Sequence, residues 1–182
     1  MKIRPGRFNT YLCLLFGIAL GWGCQTSHTP KAPKKGYRLL RLHLEVNPDG
    51  TGNNSTVTIG RQSTFPVNVN KLPFVDENNL VNARLLEDNF GGFALEIRLN
   101  RQGSWLLEQY TVANKGRRIA VFAELDGFRW LAAPRITKGI SDGVFSFTPD
   151  ATREETEKLV LGLNDTVKKL RSRTTLNDPE LR

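Results

Sequence analysis

Between Tyr37 and Leu170 the hydrophobic positions repeat with two periods, and the changes of period mark the elements. Leu40, Leu42, Leu44 and Val46 alternate with Arg41, His43 and Glu45, the period-2 signature of a half-buried strand. Pro48-Asp49-Gly50 marks a turn, and Ser55–Ile59 and Phe65–Val69 predict short strands. Asp76 stands as an N-cap for a short helix over Glu77–Ala83. On a further strand Phe93, Leu95, Ile97 and Leu99 face one way while Glu96 and Arg98 face the other. A helix is predicted from Gln102 to Asn114, with Gly116 at a C-terminal capping place. Ile119, Val121, Ala123 and Leu125 alternate again, and Asp126-Gly127 is the strongest hairpin signal in the chain. Phe128–Ala133 returns as the partner strand, closed by Pro134, and Val144–Phe147 is one more short strand. Thr152 with Glu155 forms a capping box. The helix it opens runs to Arg171, with Leu159, Leu163, Val167 and Leu170 on one stripe. The expected class is α+β, a mainly antiparallel sheet with helices on one face.

The flanks of this unit follow other rules. Lys2, Arg4 and Arg7 precede an almost wholly apolar run from Tyr11 to Trp22, which ends at Gly23-Cys24. That is the layout of a secretory signal. The run is shorter than the roughly 20 residues that span a bilayer, so a cleaved segment over residues 1–23 is expected rather than a permanent span. The cysteine at the cleavage point resembles a bacterial lipoprotein signal, although Gly21 and Trp22 depart from its usual box. That resemblance makes Cys24 the lipid attachment site. It implies a chain anchored in the bacterial envelope and facing the periplasm, and Gln25, in place of Asp, favours the outer membrane. Residues 24–36 hold Pro30, Pro33, Lys31, Lys34 and Lys35 without hydrophobic period, a semi-stiff linker. Residues 171–182 are polar, contain Pro179 and are expected to fray.

The 182-residue chain carries a net charge of +8. The leader through Gly23 has three basic residues and no acidic one, which leaves +5 from Cys24 onward. The basic linker beside acyl chains favours anionic headgroups. Nucleic acid is not expected as a partner, since no aromatic-basic motif accompanies the charge.

From Phe93 onward the sequence resembles the head subdomain of the first periplasmic domain of SecD, the accessory subunit of bacterial protein export. The resemblance runs through Leu99-Asn100, Gly103, Thr111, Asn114-Lys115-Gly116-Arg117 and Ile119-Ala120-Val121. It continues through Leu125-Asp126-Gly127, Ala132-Ala133-Pro134, Ile136, Ile140, Gly143, Phe147-Thr148 and Glu154-Glu155. Residues 37–90 rest on periodicity alone. The resemblance implies a ferredoxin-like α+β fold and a peptide-facing surface. It does not imply motor activity, which in SecD needs charged membrane helices that this pattern lacks. Gly116, Asp126, Gly127 and Pro134 are backbone devices of turns and strand ends.

Chemistry is hard to find. Two Cys, two His and one Met leave little for a metal site, and no cofactor or metal is expected. His43 sits among Leu residues on a strand, where a sheet-covering ring is a better reading than a base. Glu87-Asp88 and Glu154-Glu155 are surface pairs rather than convergent carboxylates. No catalytic residue is assigned, and binding is the expected class. Phe128, Arg129, Trp130, Leu131 and Arg135 form the candidate binding surface, provided that the alternating set Phe128/Trp130/Ala132 faces outward rather than into the core. The partner expected there is a protein or an extended polypeptide. The alternatives are a structural subunit of one envelope assembly or a small-ligand sensor.

Overall fold

The computed structural model describes residues 38–61, 64–87 and 91–177, with side chains to Arg173. Cys24, the leader over 1–23 and the linker over 24–36 lie outside the described residues, as does the tail beyond Asn177. The elements run β1 (Leu40–Leu44), β2 (Asn54–Ile59), β3 (Phe65–Asn70), a 3₁₀ turn (Glu77–Asn79), β4 (Leu80–Glu87), β5 (Phe93–Leu99), α1 (Arg101–Ala113), β6 (Ile119–Glu124), β7 (Phe128–Ala132), β8 (Val144–Phe147) and α2 (Arg153–Asn177). The class is α+β with antiparallel pairing throughout. Among the described residues the strands fall into three groups, β1-β6-β7, β2-β3 and β4-β5-β8.

Two of the groups are joined. Leu42 N–H donates to Val75 O and Val46 N–H to Asn68 O, both on the edge of β1 away from β6. The Val46 bond and the Glu45–Val69 bridge attach the two-stranded β2-β3 hairpin just past the end of β1. The hairpin then curls until β2 comes back beside β7. Val57, Ile59, Val67 and Val69 point into the curl and meet Ala120, Ala133 and Trp130. The opposite face of β1-β6-β7 builds the main core from Leu40, Leu42, Ile119, Val121, Ala123 and Leu131. Leu107 of α1 and Leu159, Leu163 and Val167 of α2 close that core, so both helices contribute to the same apolar layer.

The helix predicted over Glu77–Ala83 is a single turn. Asp76 accepts from Asn78 N–H while Asn79 Oδ1 accepts from Asp76 N–H, so the cap itself is real. Leu80 is already extended at φ −77° and ψ 141°, and β4 follows. Pairing with β5 satisfies a full strand of backbone groups, which outweighs one capped turn. The closing helix continues past Arg171 to Asn177. Glu96 is buried because Arg84 Nε reaches its carboxylate at 2.6 Å across the strand pair.

The helix α2 seals the β4 edge chemically. Asn164 Oδ1 accepts from Ala83 N–H and Asn164 Nδ2 donates to Ala83 O, both at 2.9 Å. The side-chain amide thus stands in for a neighbouring strand. Substituting Asn164→Ala leaves both groups of the buried Ala83 unpaired, at a cost of about 1–3 kcal/mol. A lower denaturant midpoint with unchanged slope is the expected result.

Candidate functional site

The β6–β7 hairpin turns at Asp126 and Gly127, both left-handed at φ 49° and 126°. Its register sets Phe122 opposite Trp130 and Glu124 opposite Phe128. Residues directly opposite share a face, so Phe122, Trp130 and Phe128 stand together on the outer face of the sheet. Arg41 and His43 of β1 join them, opposite Phe122 and Ala120.

The rings form a continuous strip. Phe122 stacks on Phe128 with centroids 5.6 Å apart and planes 7° from parallel. Phe122 meets Trp130 at 5.0 Å, and His43 meets Trp130 edge-on at 5.1 Å. Cover decreases along the strip. His43 is 6% exposed, Trp130 and Phe122 are half-buried, and Phe128 is 63% exposed. The β2-β3 hairpin covers the Trp130 end, and among the described residues the Phe128 end is left open.

The five candidate residues therefore separate. Phe128 and Trp130 face outward together. Leu131 does not belong to the surface: it is 1% exposed and sits in the main core. Alternation already sets Leu131 on the face opposite Trp130, and a register shift between Val121 and Phe122 turns Ala132 inward beside it. Arg129 turns away from the strip, donating to Asp150 O at 2.9 Å and lying 3.7 Å from Glu155. Arg135 lies past the strand end and donates to Gly116 O. Gly116 itself takes φ 87° after α1 and donates its N–H to Ile136 O, and Pro134 O accepts from Ile119 N–H. Phe122 and His43 also belong to the strip, His43 as a ring covering the sheet and Phe122 outside the candidate set. Pairing across Asp126-Gly127 would have pointed to Phe122.

A second feature adjoins the strip. A groove of ≈ 720 Å³ opens where β2 returns beside β7. Ile59, Arg61 and Phe65 line one side, Leu131 to Pro134 another, and Phe147 to Thr152 the third. Glu155, in the first turn of α2, bridges its rim by accepting from Arg61 at 2.6 Å, and this cation holds the carboxyl below its usual range. The capping box forms as expected, with Thr152 N–H donating to Glu155 Oε2 and Glu155 N–H to Thr152 Oγ1. No group of three or more His, Cys, Asp or Glu side chains able to hold a metal occurs among the described residues. What the arrangement offers is apolar and aromatic contact with little charge at its centre.

The architecture is that of an α+β domain with an aromatic strip on one face of its sheet. The family profile of the SecDF P1 head subdomain matches residues 54–166, and the chain belongs to that family. The match begins well before Phe93, so the β2-β3 hairpin and β4 are part of the same subdomain. Among solved structures the chain is similar to SecDF, described as a membrane component that enhances protein export, at 20% identity and a TM-score of 0.51 over 70% of this chain and 62% of that one. A SecDF structure in a super-membrane-facing form matches with the same identity and TM-score, over 70% of this chain and 19% of that one. The chain thus spans less than two thirds of either structure. Comparison with curated protein sequences gives no match.

His43 ties the strip to the hairpin, its Nδ1 lying 2.8 Å from Asn70 O. Burial lowers its pKa, the Asn70 carbonyl opposes this, and Arg41 on the same face adds to the lowering. The unfolded chain therefore takes up the proton first, near pH 6.5. The stability His43 provides is present above that pH and is lost as pH falls through the lower folded value. The denaturant midpoint should fall from pH 7 to pH 5 by more in the wild type than in His43→Gln, whose amide can still donate to Asn70 O.

Proposed function

We propose that this chain is a non-enzymatic, lipid-anchored envelope protein whose SecDF-head domain binds extended segments of exported polypeptides. The observation that carries the reading is the aromatic strip, with Phe128 standing 63% exposed at its open end. Unfolded chains present scattered apolar and aromatic side chains in many sequences. A graded strip of rings accepts these without demanding a fixed pattern, and aromatic anchors dominate the energetics of such contacts. Membership of the SecDF head family supports a role beside protein export in the periplasm, and the leader pattern supports attachment through Cys24. A thioether-linked diacylglycerol with an amide-linked acyl chain on Cys24 would exceed what stable membrane attachment needs.

One observation favours a second reading, a subunit that docks a single envelope protein. Trp105 and Val112 are each 56% exposed on α1, seven residues apart and so on one helical face.

Photo-crosslinking in the cell separates the two. A crosslinker at Phe128 should yield many heterogeneous adducts with newly exported chains, and one at Lys158, exposed on α2, should yield few. A single discrete adduct from Trp105, with none from Phe128, would replace the first reading by the second. Phe128→Ser should cut binding of an unfolded polypeptide about tenfold while leaving the melting temperature within a few degrees, since the ring is mostly exposed. Cys24→Ser should move the chain from the membrane fraction to the soluble periplasmic fraction.

A further inference from the structure

Backbone parity in the β2-β3 hairpin leaves one strand edge exposed. In an antiparallel pair, residues alternate between those that exchange hydrogen bonds with the partner and those that point away from it. Asn68 O accepts from Val46 N–H, and Asn70 O faces the His43 ring, so Asn68 and Asn70 direct their backbone groups toward β1 and away from β2. Their opposites in the register are Thr56 and Asn54. Pro66, which has no N–H to give, lies opposite Thr58 and fits the same parity. Asn54, Thr56 and Thr58 therefore aim their N–H and C=O groups at the outer edge of β2, and among the described residues no backbone bond meets them there.

Three other strand edges carry backbone or side-chain partners. Phe74 and Val75 bond to β1, Asn164 bonds to β4, and Asp150 N–H bonds to Leu131 O of β7. The β2 edge also lacks the usual protections. Asn54–Ile59 reads NSTVTI, with no charge and no proline, and its register has no bulge. Thr56 and Thr58 are exposed.

We propose that β2 is a docking edge to which an extended polypeptide segment adds as a further strand, running at its Ile59 end into the groove between β2 and β7. The proposal rests on the polypeptide-binding reading for the identity of the strand. An extended chain is the occupant because the groove is bounded on three sides, by the β2-β3 hairpin, the end of β7 and the segment leading into α2. A single strand enters such a seam. A second folded copy would bring its whole sheet along with its β2, which a groove walled on three sides does not admit. Main-chain pairing also asks nothing of the added sequence, which suits a domain that meets many chains.

The test is residue-resolved amide exchange on the full detergent-solubilised chain, with and without a reduced, carboxymethylated polypeptide that cannot fold. Exchange at Asn54, Thr56 and Thr58 should slow at least tenfold when the probe saturates the protein, while Asn68 stays unchanged. If the Trp130 indole responds to the probe and the three amides do not, the edge is not used and the proposal falls, while the polypeptide-binding reading stands. If neither responds, both fall. If the amides slow with rising protein concentration and no probe, a second copy occupies the edge and the proposal is overturned. Thr56→Pro removes one outward donor without touching the β3 ladder. It should weaken probe binding about five- to tenfold, the worth of one backbone hydrogen bond, whereas Thr56→Ala should not. Should Thr56→Pro not fold, the exchange measurement on the wild type decides alone.

Discussion

The constraint on which this fold turns is that β6 is buried on both faces at its Ile119 end. Ile119, Val121 and Ala123 face the main core, and Ala120, on the opposite face, is equally inaccessible. A strand of an antiparallel sheet usually has one solvated face. Here the second face needs a cover, and the helices are already committed to the first. The β2-β3 hairpin supplies it by bonding to the far edge of β1 and curling over the sheet. His43 holds the curl from below through Asn70 O.

The hairpin is too short to finish the task. Its apolar residues, Val57, Ile59, Val67 and Val69, reach Ala120, Ala133 and part of Trp130. Phe122 and Phe128 lie beyond it and stack on one another instead. The exposed aromatic end and the unpaired β2 edge thus have one origin: a second layer that covers only part of the face beneath it and, among the described residues, makes no backbone bond from β2 to β7. A cover that closed fully would have neither.

The rest of the molecule secures this arrangement from the other side. The helix α2 buries Leu159 and Leu163 completely, each worth about 1.5–3 kcal/mol relative to exposure. It also carries Gly162, where a Cβ would come within 2.2 Å of the Arg38 side chain. That close passage lets Arg38 N–H bond Thr166 Oγ1 while its guanidinium reaches Asp126 at the hairpin tip, 3.3 Å away. The helix, the start of β1 and the turn that presents Phe128 are thereby linked. The SecDF P1 head match over residues 54–166 takes in the β2-β3 hairpin, β4 and most of α2 together with the β6–β7 hairpin.

Most elements were legible in the chain because their signals are local. Period-2 alternation in β1, β5 and β6, the Asp126-Gly127 turn, and the Thr152/Glu155 box each depend on neighbours within a few residues. Where a decision was long-range, local reading stopped short. Asp76 announced a helix, yet the backbone after Asn79 found its partners in β5. The alternation of Phe128, Trp130 and Ala132 could not tell outside from inside, because the shift opposite Val121 and Phe122, which turns Ala132 inward, depends on how β7 meets β6. Arg129 and Arg135 looked like neighbours of the aromatic rings, but Asp150 and Glu155 draw the first away and Gly116 holds the second. The sequence by itself determined the α+β class, the turns and the caps, since those follow from side-chain period and backbone preference. Tertiary structure alone decided which face of the sheet stays open and which strand edge stays free, since both depend on how far one hairpin extends over another layer.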